Sequence, residues 1–400
     1  MRIASWFSPK VLRWLQSRKG WRERLVEARE ADKPLIWVHI PSMEVQSQYS
    51  LLLQNLQQPY SRAQLLISYQ EVPEDWDEED EHHFLPLDTR GNAEDWLDIL
   101  MPSMAVMVFP ELPEHMLKEC KERAIPSYVI GTRLEKGDAL LSLVGRGQLR
   151  RKLALTSHVF IEDQDTAKHL FSKIKLEESH GTVVGDTEVD ELVALVGQAP
   201  EVPRLSNFTE GSLTVLVYQA GGMEERMVER LAQNPVFARV KWVIIPRKMD
   251  YDRLDKRTED KSDTELLFSD KTAIREGHRI MWIDEPIGDS FVPYFQYASV
   301  AVVGGGFVPL RLPPVWIPAV YGLPIYFGPE YKHRISAREL HAQGGAQVFR
   351  SRGKLTKLLR EHVRQPISEM AKKDIRTYVS NNTGASQKLI TELLNRHPNL

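Results

Sequence analysis

Apolar and polar positions alternate along this chain in blocks rather than residue by residue. Short, nearly unbroken apolar runs fall at 35–40, 64–69, 105–109, 126–130, 157–161 and 182–184. Such runs predict strands buried on both faces, whereas a half-exposed strand would alternate. Segments 46–58, 92–100 and 114–124 between them carry helical spacing, so the first half reads as a parallel sheet covered by helices. The pattern stops around Gly197-Gln198-Ala199-Pro200-Glu201-Val202-Pro203-Arg204, where two prolines among polar residues predict a linker over 199–211. It resumes with runs at 212–217, 240–245, 280–283, 299–304, 324–327 and 346–349. Residues 250–265, rich in Asp, Lys and Arg, predict an exposed connection or helix, and 353–363 and 366–395 predict closing helices. The fold class that follows is α/β, with two doubly wound Rossmann-like domains at 31–198 and 212–370 and a tail, 371–400, that crosses back to the first.

Residues 1–30 differ in character. Arg2, Lys10, Arg13, Arg18, Lys19, Arg22 and Arg24 are interleaved with Trp6, Phe7, Val11, Leu12, Trp14, Leu15, Trp21 and Leu25. Cationic stems and indole rings on one helix suit an anionic membrane surface, contacted here through 1–25. A surface helix docked on its own domain is the alternative. A second charged stretch, with Glu74, Asp75, Asp77, Glu78, Glu79, Asp80 and Glu81, repels itself too strongly to be buried and predicts a solvated loop.

Composition narrows the functional classes. A net charge of −3 over 400 residues gives no overall attraction to nucleic acid, so none is expected as partner. The lone Cys120 excludes an internal disulfide framework and a cysteine-based zinc site. No eighteen-residue apolar run or signal peptide is visible in the sequence as it stands. His82-His83 beside the acidic run reads as a solvated pair, and neither a metal site nor a cofactor is expected.

The candidate chemistry concentrates in 281–347. Tyr297-Ala298-Ser299-Val300-Ala301-Val302-Val303 runs into Gly304-Gly305-Gly306-Phe307, and Tyr321-Gly322-Leu323-Pro324-Ile325-Tyr326-Phe327 into Gly328-Pro329-Glu330-Tyr331. Ala337-Arg338-Glu339-Leu340 then leads to Gly344-Gly345-Ala346. Glycine turns beyond the carboxyl ends of parallel strands let phosphate or sugar oxygens approach backbone N–H groups. They equally serve as tight turns.

In this order the motifs resemble those of the bacterial 3-deoxy-D-manno-octulosonic acid (Kdo) transferases. Ser8-Pro9-Lys10 with Arg18-Lys19-Gly20-Trp21, Trp37-Val38-His39 with Ser42, Leu85-Pro86-Leu87-Asp88-Thr89, and Gly185-Asp186-Thr187 extend the likeness over nearly the whole chain. The resemblance implies a GT-B glycosyltransferase whose two domains face each other across a cleft, the N-terminal one for the acceptor and the C-terminal one for the nucleotide sugar. It implies CMP-Kdo, or another nucleotide sugar, as donor, a lipid A precursor as acceptor, and a peripheral location on the cytoplasmic face of the inner membrane. Relatives usually carry a hydrophobic anchor before the point where this sequence starts. The resemblance assigns donor binding to Arg247, Gly304, Gly305, Gly306, Phe307, Gly328 and Pro329, and acceptor binding to Ser42 and Glu111.

Several chemical positions depart from the family pattern. The family's base is a glutamate in a Ser-x-Gly-Glu turn, and a gap-free match puts Val45 there and Glu44 one residue earlier, which makes Glu44 the catalytic candidate. Histidine, asparagine and glutamate of the nucleotide-binding helix become Pro313, Pro314 and Ile317, inside a proline-rich segment at 309–318. Tyr218-Gln219-Ala220-Gly221 replaces a Gly-Ser-Thr-Trp turn, and Glu71-Val72-Pro73-Glu74 replaces a hydroxyl-rich one, while Pro246-Arg247 keeps the family's Pro-Arg pair. Three functions remain open: Kdo transfer with an altered site, a silent GT-B protein that binds a glycolipid or protein partner, or transfer from another donor.

Overall fold

The computed structural model describes residues 8–77, 81–285, 289–365, 369–398 and 400. The expectations for Arg2, Trp6 and Phe7, for Glu78, Glu79 and Asp80, and for a helix through 366–368 fall outside the described residues. The chain forms two compact units, Met1–Glu191 with Thr383–Leu400, and Leu192–Asn382.

The first unit holds β1 (Leu35–Ile40), β2 (Gln64–Tyr69), β3 (His83–Phe84), β4 (Met104–Val108), β5 (Ser127–Thr132), β6 (His158–Ile161) and β7 (Gly181–Val183). They form one parallel sheet in the order β3-β2-β1-β4-β5-β6-β7. The second holds β8 (Thr214–Ala220), β9 (Lys241–Pro246), β10 (Glu265–Leu267), β11 (Ile280–Trp282), β12 (Val300–Val303), β13 (Ile325–Phe327) and β14 (Ala346–Val348). Their order is β10-β11-β9-β8-β12-β13-β14, again parallel throughout. Each unit is Rossmann-like, and strand order reverses between β1 and β4 in one and between β8 and β12 in the other. Those reversals are where open α/β sheets bind ligands.

The apolar runs become strands because both sheet faces are covered. Every residue of β1 is buried, including His39. Ser68 Oγ meets His39 Nδ1 at 3.0 Å and accepts from Trp37 Nε1 at 2.8 Å. Burial pushes the His39 pKa down to about 3, so the ring is neutral at ordinary pH. Two strands escape the pattern. β3 is a two-residue edge strand after the acidic run, and β10 opens with Glu265, a charged residue buried because Arg257 and Trp282 Nε1 both bond its carboxylate. The helix Tyr251–Asp260 brings Arg257 there, so 250–265 contains more than an exposed connection.

The N-terminal segment docks on its own unit over much of its length. Helices Pro9–Ser17 and Trp21–Ala28 break at Gly20, whose φ of +70° favours glycine. Trp21 packs tilted against Trp96, ring centroids 5.5 Å apart, and Trp96 against Trp37 at 5.7 Å. Leu25 is fully buried, and Arg18 donates to the carbonyls of Leu85 and Gln70 at 2.6 Å each. Arg18, Trp21 and Leu25 therefore do not face outward, because the core and two otherwise open carbonyls hold them. Val11, Leu12 and Val26 remain exposed.

The predicted linker contains the helix Pro203–Thr209, opened by proline in its first turn and seated by Leu205 and Phe208. At the other end, the described part of 366–395 holds two helices, Glu369–Asn381 and Ala385–Arg396, interrupted at Gly384 with φ +90°. The second buries Leu389, Ile390 and Leu393 in the first unit's core with Ile36, Val38 and Phe160. Asp190 accepts the N–H groups of Gly384 and Ser386 at 2.6 and 2.7 Å.

Candidate functional site

At the carboxyl edge of the first sheet lies a cavity of about 190 Å³ lined by Pro41, Val45, Tyr49, Phe109, Pro110, Gly131, Arg133, Glu162, Asp186 and neighbours. Each wall starts where a strand stops. Pro41 follows β1, Phe109 follows β4, Arg133 follows β5 and Glu162 follows β6. Asp186 opens the helix Thr187–Gly197, accepting the Glu188 N–H at 3.0 Å.

The cavity's charge is concentrated in three residues. Arg133 Nη1 lies 3.2 Å from Glu162 Oε2 and 2.9 Å from Asp186 Oδ2. Their side chains are 29%, 8% and 12% exposed, so the guanidinium is nearest water and Glu162 deepest. Burial pushes the Glu162 carboxyl well above its usual pKa, against the pull of Arg133. The nearby carboxylates, Glu162 foremost, hold Arg133 firmly cationic. Burial likewise raises the Tyr49 phenol, with Glu162 adding to it. Gly131 leaves the space that Tyr49 occupies: a Cβ there would sit 2.1 Å from Tyr49 Oη, and its φ is +67°.

The candidates Glu44, Ser42 and Glu111 stand around this cavity rather than in it. Glu44 is exposed on the short helix Met43–Gln46, and Val45 is the residue of that helix that lines the cavity. Ser42 caps the same helix, its Oγ accepting the Val45 N–H at 3.3 Å. Glu111 is exposed in the turn after β4. Glu162, Arg133 and Asp186 carried no site role in the sequence reading. Their signal was a charged residue directly or closely following a strand, where an α/β sheet meets its ligands.

In the second unit the glycine loop follows β12 at the strand reversal. The Gly304 N–H donates to the Tyr218 carbonyl at 2.8 Å, and the Gly305 N–H to Glu224 Oε1 at 2.9 Å. Glu224 Oε2 also accepts the Gly221 N–H at 3.1 Å, so one buried carboxylate ties the helix Gly222–Ala232 to the loop. Two of the three glycine N–H groups are thus occupied internally. Gly306 and Gly328 let two loops touch, since a Cβ on Gly306 would meet the Gly328 nitrogen at 2.5 Å. Phe307 packs edge-on against Phe349 at 5.3 Å. Arg247 lies across the loop, Nη2 donating to the Gly304 carbonyl at 3.2 Å, and burial lowers its pKa below the ordinary guanidinium value.

Pro329 belongs to a second cavity, of about 410 Å³, with Tyr331, Lys332, His341, Val348, Arg350 and Lys354. Lys332, Arg350 and Lys354 are exposed, and among the described residues none forms an ion pair. This cavity is cationic where that of the first unit is predominantly acidic. The proline-rich segment leaves Pro309, Leu310 and Arg311 exposed and enters the core from Leu312 on: Leu312, Val315 and Trp316 are buried, and Trp316 stacks on Tyr378 at 5.2 Å. The helix it leads into, Trp316–Val320, is five residues long and contains the buried Pro318. No group of His, Cys, Asp and Glu among the described residues is arranged to hold a metal ion, and no helix among them is long and apolar enough to cross a membrane.

The fold recurs in solved structures. UDP-GlcNAc 2-epimerase from Neisseria meningitidis, bound to UDP-GlcNAc, aligns with TM-score 0.65 at 14% identity, over 91% of this chain and 100% of that one. Anabaena Alr3699/HepE in complex with UDP aligns with TM-score 0.58 at 11% identity, over 91% and 100%. The C-terminal CMP-Kdo binding domain of WaaA from Acinetobacter baumannii aligns over 48% of this chain and 97% of its own at 14% identity, with a TM-score of 0.36. The first two likenesses establish a GT-B-type pair of Rossmann-like units. No curated protein matches the sequence. Residues 19–191 match the family described as 3-Deoxy-D-manno-octulosonic-acid transferase (kdotransferase), which bears out over the N-terminal unit the resemblance read from the motifs.

Proposed function

We propose that this chain is a Kdo-type glycosyltransferase, moving Kdo from CMP-Kdo to a lipid A precursor at the cytoplasmic face of the inner membrane. One observation carries the reading: the lining of the first unit's cavity, from Pro41 to Glu188, falls entirely within the 19–191 family match. The match therefore includes a built polar site as well as a scaffold. Its carboxyl groups suit the hydroxyls of a sugar acceptor, since their oxygens can accept the hydrogen bonds that hydroxyls donate. The donor is anionic at both phosphate and carboxylate, and it binds the second unit through Arg247 and the loops of Gly304, Gly305, Gly306, Phe307, Gly328 and Pro329. Lys332, Arg350 and Lys354 add positive charge beside Pro329. Exposed Lys10, Val11 and Leu12 on the first helix meet the anionic bilayer surface.

A second reading, a silent GT-B protein that binds an envelope glycolipid or a partner, is favoured by one feature. The segment matching the family's phosphate-facing helix is only five residues long, and Ile317 stands where the ribose-binding glutamate belongs. Thermal denaturation with a panel of nucleotides separates the readings. Saturating CMP at a hundredfold its dissociation constant stabilises by about 2.7 kcal/mol under the first. A shift with a different nucleotide alone assigns another donor, and no shift with any nucleotide favours the silent protein.

A further inference from the structure

The first unit's cavity holds a carboxylate that no motif assigned. Glu162 sits immediately after β6, 8% exposed, and its Oε2 has no hydrogen-bond partner beyond the 3.2 Å ion-pair approach of Arg133 Nη1. Asp186 is otherwise engaged, one oxygen on the Glu188 N–H and the other on Arg133. The Tyr49 phenol holds its proton because burial raises its pKa. Glu44 is exposed outside the cavity. Among the described residues, Glu162 is a deep, cavity-lining carboxyl group at a strand end with an oxygen free of hydrogen bonds.

We propose that Glu162 is the proton acceptor for the attacking hydroxyl of the sugar acceptor, with Arg133 as the group that positions its carboxylate. This assignment rests on the transferase reading above. In the step, the acceptor O–H bond breaks and its proton passes to Glu162. The freed oxygen pair forms the new bond to the anomeric carbon of the donor. The anomeric C–O bond to the phosphate breaks, and its electron pair leaves with CMP. A carboxyl group with a raised pKa is a stronger base than an ordinary one, and such general-base contributions are about 10²–10⁴-fold. The groups facing Glu162 are Arg133 after β5, Asp186 and Glu188 at the start of the Thr187–Gly197 helix, Tyr49 across Gly131, and its neighbour Asp163. Three of these carry negative charge, which works with burial to keep the proton once taken.

The test uses the full chain with CMP-Kdo and a lipid A precursor, product being read by mass spectrometry for wild type, E162Q and E44Q. E162Q is expected to lower kcat at least a hundredfold while acceptor KM stays within a few-fold, and to lose the rise of kcat with pH that wild type shows through the Glu162 ionisation. E162Q retaining more than a tenth of wild-type kcat, or E44Q alone abolishing turnover, overturns the assignment. If E162Q melts early, E162D decides: kcat reduced at least tenfold with the pH dependence retained supports the role, and unchanged kcat overturns it. A wild type that turns over no CMP-Kdo overturns the transferase reading itself, and the assignment with it.

Discussion

Asp190 holds the chain's last helix, and its removal tests how that helix is attached. Its two carboxylate oxygens accept the N–H groups of Gly384 and Ser386, at the start of Ala385–Arg396, at 2.6 and 2.7 Å. In Asp190→Ala the exposed Gly384 N–H regains water, but Ser386 is 3% exposed and its N–H does not. A hydrogen bond to a charged group contributes about 1.5–3 kcal/mol, and a buried donor left unpaired costs about the same. The attraction between a carboxylate and a helix N-terminus adds about 0.3–1 kcal/mol. The expected loss is about 3 kcal/mol, felt by the helix before the rest of the unit because only this helix depends on it. Hydrogen exchange should show the amides of 385–396 exchanging about a hundredfold faster, while β4 and β5 keep their protection. Exchange within a factor of five of wild type would mean instead that Leu389, Ile390 and Leu393 seat the helix without Asp190.

Other outcomes follow from the same geometry. His39 and His158 have folded pKa values near 3 and 4, both lowered chiefly by burial, against about 6.5 when unfolded. Below pH 6.5 the unfolded chain takes up protons that the folded one refuses, so urea melts should show about 2 kcal/mol lost per histidine between pH 6.5 and 5, and His39→Asn should remove about half of that slope. Gly131→Ala forces a Cβ to 2.1 Å from Tyr49 Oη at φ +67°, and should cost about 3 kcal/mol by urea denaturation, partly recovered by adding Tyr49→Phe. Replacing exposed Val11 and Leu12 by aspartate should weaken sedimentation with anionic vesicles at least tenfold and leave the melting temperature unchanged.

The strands were legible because a parallel sheet covered on both faces demands unbroken apolar runs, and β1 is the plainest case. β10 was not, because Glu265 breaks the apolar rule and its partner Arg257 comes from a helix eight residues earlier. The N-terminal basic and aromatic pattern described two surfaces at once: Arg18 and Trp21 have the chemistry of a membrane contact, yet one donates to backbone carbonyls of its own unit and the other packs against Trp96. Periodicity cannot separate these, since both need an amphipathic helix. Gly384 marks the break between the last two helices, but a single glycine in a helical pattern is tolerated often enough to be passed over. Motif matching drew attention to Glu44 and the glycine loop. It missed Glu162, whose role depends on β5, β6 and β7 meeting at one edge, a relation that exists only once the sheet order does.

The most direct measurement is turnover itself: purified protein in membranes or detergent, CMP-Kdo and a lipid A precursor, with product followed by mass spectrometry beside an active Kdo transferase. A product heavier by Kdo, with CMP released in equal amount, is expected. An unchanged acceptor under conditions where the reference enzyme is active would contradict it.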